Sequence, residues 1–153
     1  MRTGHEVAVP EGVRSALERL LGTGIGHVKV IEHSRIARLH GRAVATTRPR
    51  RIYLRGSAAE FFADPWLMLH EYCHVIHQWQ AGSLTVPRYL LECLRRGYWN
   101  NRFEVEAREF ADLHLARLHA LLGVAAPGAA GAAAAPRAPA GEGESQPNSR
   151  SRR

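Results

Sequence analysis

PWLMLHEYCHVIHQWQ, residues 65–80, contains His70-Glu71-Tyr72-Cys73-His74, the HExxH pattern. On a helix, side chains four apart lie one above the other on one face, so His70 and His74 reach a common point while Glu71 projects beside them. Two imidazoles there suit a Zn²⁺ ion, and the carboxylate suits removal of a proton from water held by that ion. Five letters mean little without a helix to carry them. The flanks supply one: Asp64 is a good N-cap, Pro65 fits the first helical position where no N–H is needed, and Gly82-Ser83 marks the far end. At about 100° per residue, His70, His74 and His77 fall within a sector of roughly 60°, with Met68, Leu69, Tyr72, Cys73, Val75, Ile76 and Trp79 on the other side. The spacing predicts one face for chemistry and one for packing. The plainer alternative is an amphipathic helix bearing ordinary histidines.

A chain of 153 residues with 45% hydrophobic content is enough for one compact domain. No apolar run approaches the ~20 residues of a membrane span, and MRTGHEVAVP lacks the apolar centre of a secretory signal, so a soluble cytoplasmic protein is expected. The net charge of +7 and pI near 10.4 raise the question of nucleic acid. Lys29 is the only lysine among 21 basic residues, and the arginines are scattered apart from Arg48, Arg50, Arg51 and Arg55. No zinc-finger, RNP or helix-turn-helix spacing accompanies them, which argues against nucleic-acid binding as the main role. Cys73 and Cys93 form no CxxC pair and read as apolar helix residues.

Before the motif, Glu11 to Leu21 has the spacing of a short amphipathic helix ending at Gly22. His27 to Ile31 reads as a strand, Ser34 caps a brief helical turn through Leu39 to Gly41, and Arg42–Thr46 and Arg50–Arg55 read as two strands around Arg48-Pro49. The second of these precedes the HExxH helix and is the expected edge strand for an extended substrate. His5, His27, His33 and His40 have no partner at ligand spacing. Ser57 starts a short helix to Phe62. After the motif, Pro87–Arg96 reads as a connecting helix with Leu90, Leu91 and Leu94 on one face. Residues 124–153, rich in Ala, Gly and Pro, read as a disordered tail behind a domain of residues 1–123.

Residues 101–122 read as the longest helix, and its apolar face includes Glu104 about 40° from the centre, with Glu106 and Glu109 well outside. A carboxylate aimed into a core needs a cation or a full set of donors, and zinc on His70 and His74 would meet that need. The competing reading is a capping box between Asn101 and Glu104. His114 is placed on the same inward face and Tyr98 just before the helix, where either could donate to a developing oxyanion. His77 offers a rival third ligand. Three ligands from one straight helix surround a metal poorly, so His77 is assigned to the cleft or to support of the ligands.

This pattern resembles gluzincin-type zincin metallopeptidases, in which a Glu from a later helix joins HExxH. Glu104-Val105-Glu106-Ala107-Arg108 is similar to the ExxA(D/R) segment of CAAX-prenyl-protease-like peptidases, whose first Glu binds zinc. Residues 42–47, 51–54, 64–65 and 69–78 are similar to the HExxH peptidase domain associated with extracellular contractile injection systems, with its HExxHVxxQ run. His77 stands where that family often has Gln, and Arg108 where related peptidases tend to have Asp. The resemblance implies a small α+β zincin-like domain with a short sheet, zinc on His70, His74 and Glu104, Glu71 as general base, and a peptide or protein substrate. It also leaves room for export by a specialised secretion system. The rival class is a catalytically inactive zincin-like module whose zinc stabilises the fold while its surface or tail binds a partner. Nothing in the letters fixes the oligomeric state.

Overall fold

The computed structural model describes residues 4–39 and 44–123, so the expected tail, His40 and the start of the Arg42–Thr46 strand lie outside the described residues. Four short strands form one mixed sheet: β1 (His5–Val7), β2 (Lys29–Glu32), β3 (Ala45–Arg48) and β4 (Arg51–Leu54), in the order β1-β2-β4-β3. β1 runs antiparallel to β2, β2 parallel to β4, and β3 antiparallel to β4, with Ala45 opposite Leu54. The β3–β4 turn is made by Pro49 and Arg50, and Arg50 takes a left-handed φ of 60°.

This order corrects one expectation. The Arg50–Arg55 strand is not at the edge, because β4 is paired on both sides; the edges are β1 and β3, and β3 is the one that lines the cleft. Adjacent strands in sequence set the hairpin, but the parallel pairing of β2 with β4 is a long-range contact that neither strand's letters specify.

Helix α1 (Glu11–Leu21) ends at Gly22, and α2 (Arg35–Leu39) follows Ser34, whose hydroxyl accepts from the Ile36 amide at 3.2 Å. In α3 (Ala58–Phe62), Ser57 and Glu60 form a capping box. The motif helix α4 (Pro65–Tyr72) starts as its sequence predicts: the Asp64 carboxylate accepts from the Leu67 amide at 2.9 Å, a cap contributing about 1 kcal/mol. From Cys73 to Trp79 the helix widens to a π-helix, seen in the Gln80 amide bonding the Val75 carbonyl five residues back. After the turn at Gly82 come α5 (Val86–Arg96), capped by Thr85, and α6 (Arg102–Leu122), capped by Asn101.

Leu17, Val30, Ile52, Met68, Leu69 and Leu118 lose all exposure in a core between the sheet and helices α1, α4 and α6. Trp66 on α4 donates to Asp112 on α6 at 2.7 Å, fixing the two ligand-bearing helices side by side. The fold is thus the expected small α+β domain, with a motif helix backed by a long C-terminal one. Helix α5 is the exception to its packing. It buries no side chain; its half-buried stripe is Tyr89, Glu92 and Cys93, and Leu90, Leu91 and Leu94 are exposed, Leu90 along the cleft.

Candidate metal centre

Met68, Leu69 and Tyr72 turn the apolar face of α4 into the core, which leaves His70 and Glu71 facing a cleft between the motif helix, β3 and α5. His74 follows in the first π-helical turn. Glu104 comes from the first turn of α6, where the free amides of the helix N-terminus favour an anionic side chain. All four side chains are buried, yet line a cleft of about 240 Å³.

His70 Nε2 and His74 Nε2 lie 3.1 Å apart, with Glu104 Oε2 3.3 Å from the first and Oε1 3.6 Å from the second. Tetrahedral zinc with bonds of about 2.0–2.1 Å places its ligands roughly 3.3 Å from one another, so the three observed edges fit the ion. The chemistry of the set agrees: two imidazoles and one carboxylate with converging lone pairs are a zinc donor set, and three protein donors leave a fourth position open. The His70/His74/Glu104 geometry is characteristic of a zinc site. It also decides between the two readings of Glu104, whose carboxylate turns to the histidines while the Asn101 side chain caps α6 through the Phe103 amide at 2.9 Å.

Electrostatics tie these groups together. Burial would raise the Glu104 carboxyl, but its hydrogen bonds and charge interactions with His70 and His74 outweigh that and hold it well below the usual range. Burial likewise works against a charged His74, and Glu104, Glu71 and Gln78 together push its ring upward. Glu71 is raised mainly by burial, with Glu104 adding to the rise and the two histidines opposing it. A buried carboxylate raised in this way is suited to accept a proton.

Gln78 carries weight that the letters did not assign to it. Fully buried, it accepts from His74 Nδ1 at 2.7 Å and donates to the Phe103 carbonyl at 2.9 Å and to Glu106 Oε2 at 3.0 Å. With Nδ1–H spent on Gln78, the lone pair of His74 sits on Nε2, where the metal donors meet. Because Phe103 precedes Glu104, one amide side chain fixes both a histidine and the backbone that carries the carboxylate. Replacement of Gln78 by Leu should weaken zinc binding by about 10–100-fold and lower the stability of the metal-free protein by about 2 kcal/mol, since buried partners lose their bonds. Chelator competition and urea unfolding measure the two effects, and wild-type values in both would remove this role.

His70 is held differently. Trp66 stacks on its ring, with centroids 5.3 Å apart and planes 20° from parallel, whereas its buried Nδ1 has no hydrogen-bond partner among the described residues.

Other sequence assignments move. His77 is exposed and packs on Phe110, ring centroids 5.0 Å apart, away from the metal donors. The sector drawn at 100° per residue fails there because a π turn holds more than four residues: position i+4 stays above His74, and i+3 falls behind. His114 is half-buried against Phe110 at 4.5 Å, and its ten-residue separation from Glu104 puts it about 15 Å along α6. It does not line the cleft. Tyr98 does, near enough to Glu104 and Glu71 that burial and their charges raise its phenol. Tyr89, also unassigned by the sequence, donates its hydroxyl to Glu104 Oε1 at 2.7 Å, and its phenol is likewise raised by burial and by Glu104. The Cys73 thiol is buried and pushed up to about 12, which makes it unreactive.

Residues 8–82 match the family described as eCIS core domain. The chain carries an eCIS core domain. The matched stretch covers strands β2, β3 and β4, the HExxH helix and Gln78; it begins just after β1 and ends before the helix that supplies Glu104. Among curated proteins and solved structures no significant match is found. The eCIS core domain here thus brings HExxH, and the downstream helix completes a gluzincin-type ligand set.

Proposed function

We propose that this protein is a zinc metallopeptidase in which His70, His74 and Glu104 hold the ion and Glu71 is the general base. The observation that carries the reading is the convergence of His70 Nε2, His74 Nε2 and the Glu104 carboxylate beside a buried Glu71 at an open cleft. When bound, zinc supplies a Lewis acid for a scissile carbonyl and lowers the pKa of water. Glu71 takes the proton as the water oxygen attacks the carbonyl carbon. It then passes that proton to the amide nitrogen as the C–N bond breaks, and the second proton of the water follows to the amine, releasing a carboxylate and an ammonium group. The Tyr98 hydroxyl donates to the carbonyl oxygen as negative charge develops on it.

The cleft walls support an extended peptide as substrate. β3 lies at the sheet edge beside the site, and among the described residues no strand pairs with its outer side, so a peptide backbone can add there. Leu84, Val86 and Leu90 form the facing wall, which suits a large apolar side chain. In a mixture of unstructured peptides, zinc-loaded protein should cut beside Leu or Phe in preference to Asp, and a chelator should stop it. No cleavage of any peptide by fully zinc-loaded protein would favour the binding-module reading. Tyr98→Phe should lower kcat by about 100-fold, the lower end of the range for loss of one oxyanion donor, with KM little changed. A change confined to KM would place Tyr98 in substrate binding instead.

No helix among the described residues is long and apolar enough to cross a membrane. We assign residues 1–123 to the peptidase domain and residues 124–153 to a tail, whose composition leaves little to bury.

A further inference from the structure

Helix α5 forms one wall of the cleft although nothing in it is buried. Val86 is 42% exposed, Leu90 55% and Leu94 85%, so the hydrophobic effect does little to hold it in place. What joins it to the body is a small set of polar contacts. Arg88 reaches back to the Gly82 and Ser83 carbonyls at 3.3 and 3.2 Å, and Asn101 Nδ2 donates to the Tyr89 carbonyl at 3.3 Å and to Cys93 Sγ at 3.2 Å. The shortest contact is the one that ends on the metal centre. The Tyr89 hydroxyl donates to Glu104 Oε1 at 2.7 Å, and its ring stacks near Phe103 with centroids 6.4 Å apart.

This contact divides the Glu104 carboxylate between two tasks. Oε1 is engaged by Tyr89; Oε2, which Tyr89 leaves alone, is the oxygen nearer a histidine nitrogen, 3.3 Å from His70 Nε2. A phenol has no role as a cation competitor here, because it offers a hydrogen and not a charge, so it orients the carboxylate without opposing a metal. We propose that Tyr89 is a positioning residue that holds one oxygen of Glu104, presents the other to the metal, and thereby couples the seating of the α5 wall to metal occupancy. Coupling of this kind is reciprocal: whatever α5 seating adds to metal affinity, the metal adds to α5 seating. Tyr89 can play this part only if the triad holds zinc, as proposed above.

The test is zinc affinity by chelator competition together with amide exchange over residues 86–96 with and without saturating zinc, in wild type and Tyr89→Phe. Removal of the single hydroxyl should weaken zinc binding by about 10–100-fold, the usual cost of losing a partner of a ligand. Zinc should slow exchange across α5 in the wild type, and this slowing should vanish in Tyr89→Phe even at full occupancy. A merely structural role for Tyr89 would lower protection equally with and without zinc and leave affinity alone. Zinc affinity within about twofold of wild type overturns the proposal, as does zinc-induced protection that survives the substitution. A wild-type protein that binds no zinc defeats the metal reading and this coupling together; a wild type that binds zinc beside an unaffected Tyr89→Phe defeats the coupling alone.

Discussion

Glu104→Ala is expected to reduce zinc affinity by more than about a hundredfold, beyond the 10–100-fold usual for partners that only support a ligand. Glu104 is the one donor that does not come from the motif helix, and without it two imidazoles on one face would have to hold the ion. The substitution also removes the anion facing His70 and His74 at 3.3 and 3.6 Å. The metal-free protein then keeps two buried rings 3.1 Å apart with Glu71 as the remaining carboxylate to favour a proton on them, so His74 should lose much of its upward shift. His77→Ala serves as the contrast, because His77 is exposed and lies against Phe110. Its zinc stoichiometry should equal that of the wild type. Full zinc retention in Glu104→Ala with loss in His77→Ala would reverse the assignment.

Glu71→Gln should have the largest effect on turnover and almost none on metal content. The side chain keeps its shape, but an amide cannot take a proton from water, so kcat should fall by about 10³-fold, in the middle of the range for general acid–base catalysis. That corresponds to about 4 kcal/mol in the barrier. Zinc stoichiometry should stay at the wild-type value, since Glu71 is not among the converging donors. Neutralising a buried carboxylate that burial already disfavours should leave stability equal or slightly higher. Equal cleavage by wild type and Glu71→Gln would take Glu71 out of the chemistry, and absence of cleavage in both would support a zincin-like module that only binds.

Which parts of this molecule its letters disclose follows from the range of the forces involved. The Asp64 cap and Pro65 are local, and they placed the start of α4 correctly. Glu104 was legible because a charged residue on an apolar helix face requires a partner, and HExxH names one. The π-helical turns were not, since bonding five residues back leaves no compositional mark; that change moved His77 out, while Gln78, four residues on, stayed over His74. Strand order also escaped, because β2 and β4 pair across an intervening helix and strand. The three leucines of α5 share a face, as their spacing predicts, but the helix sits on Tyr89, Glu92 and Cys93 and keeps its apolar side for the cleft and the solvent. Tyr89 could be found only through the fold, which brings residue 89 onto residue 104.

The central claim is that one zinc ion is held by two residues of HExxH and by a carboxylate from the following long helix. Diffraction at the zinc absorption edge from crystals grown with one equivalent of zinc tests it most directly. The expected result is a single strong anomalous peak within about 2.0–2.2 Å of His70 Nε2, His74 Nε2 and one Glu104 oxygen. A peak coordinated by His77, or a zinc ion that leaves Glu104 bonded to Tyr89 and out of ligand range, would contradict it.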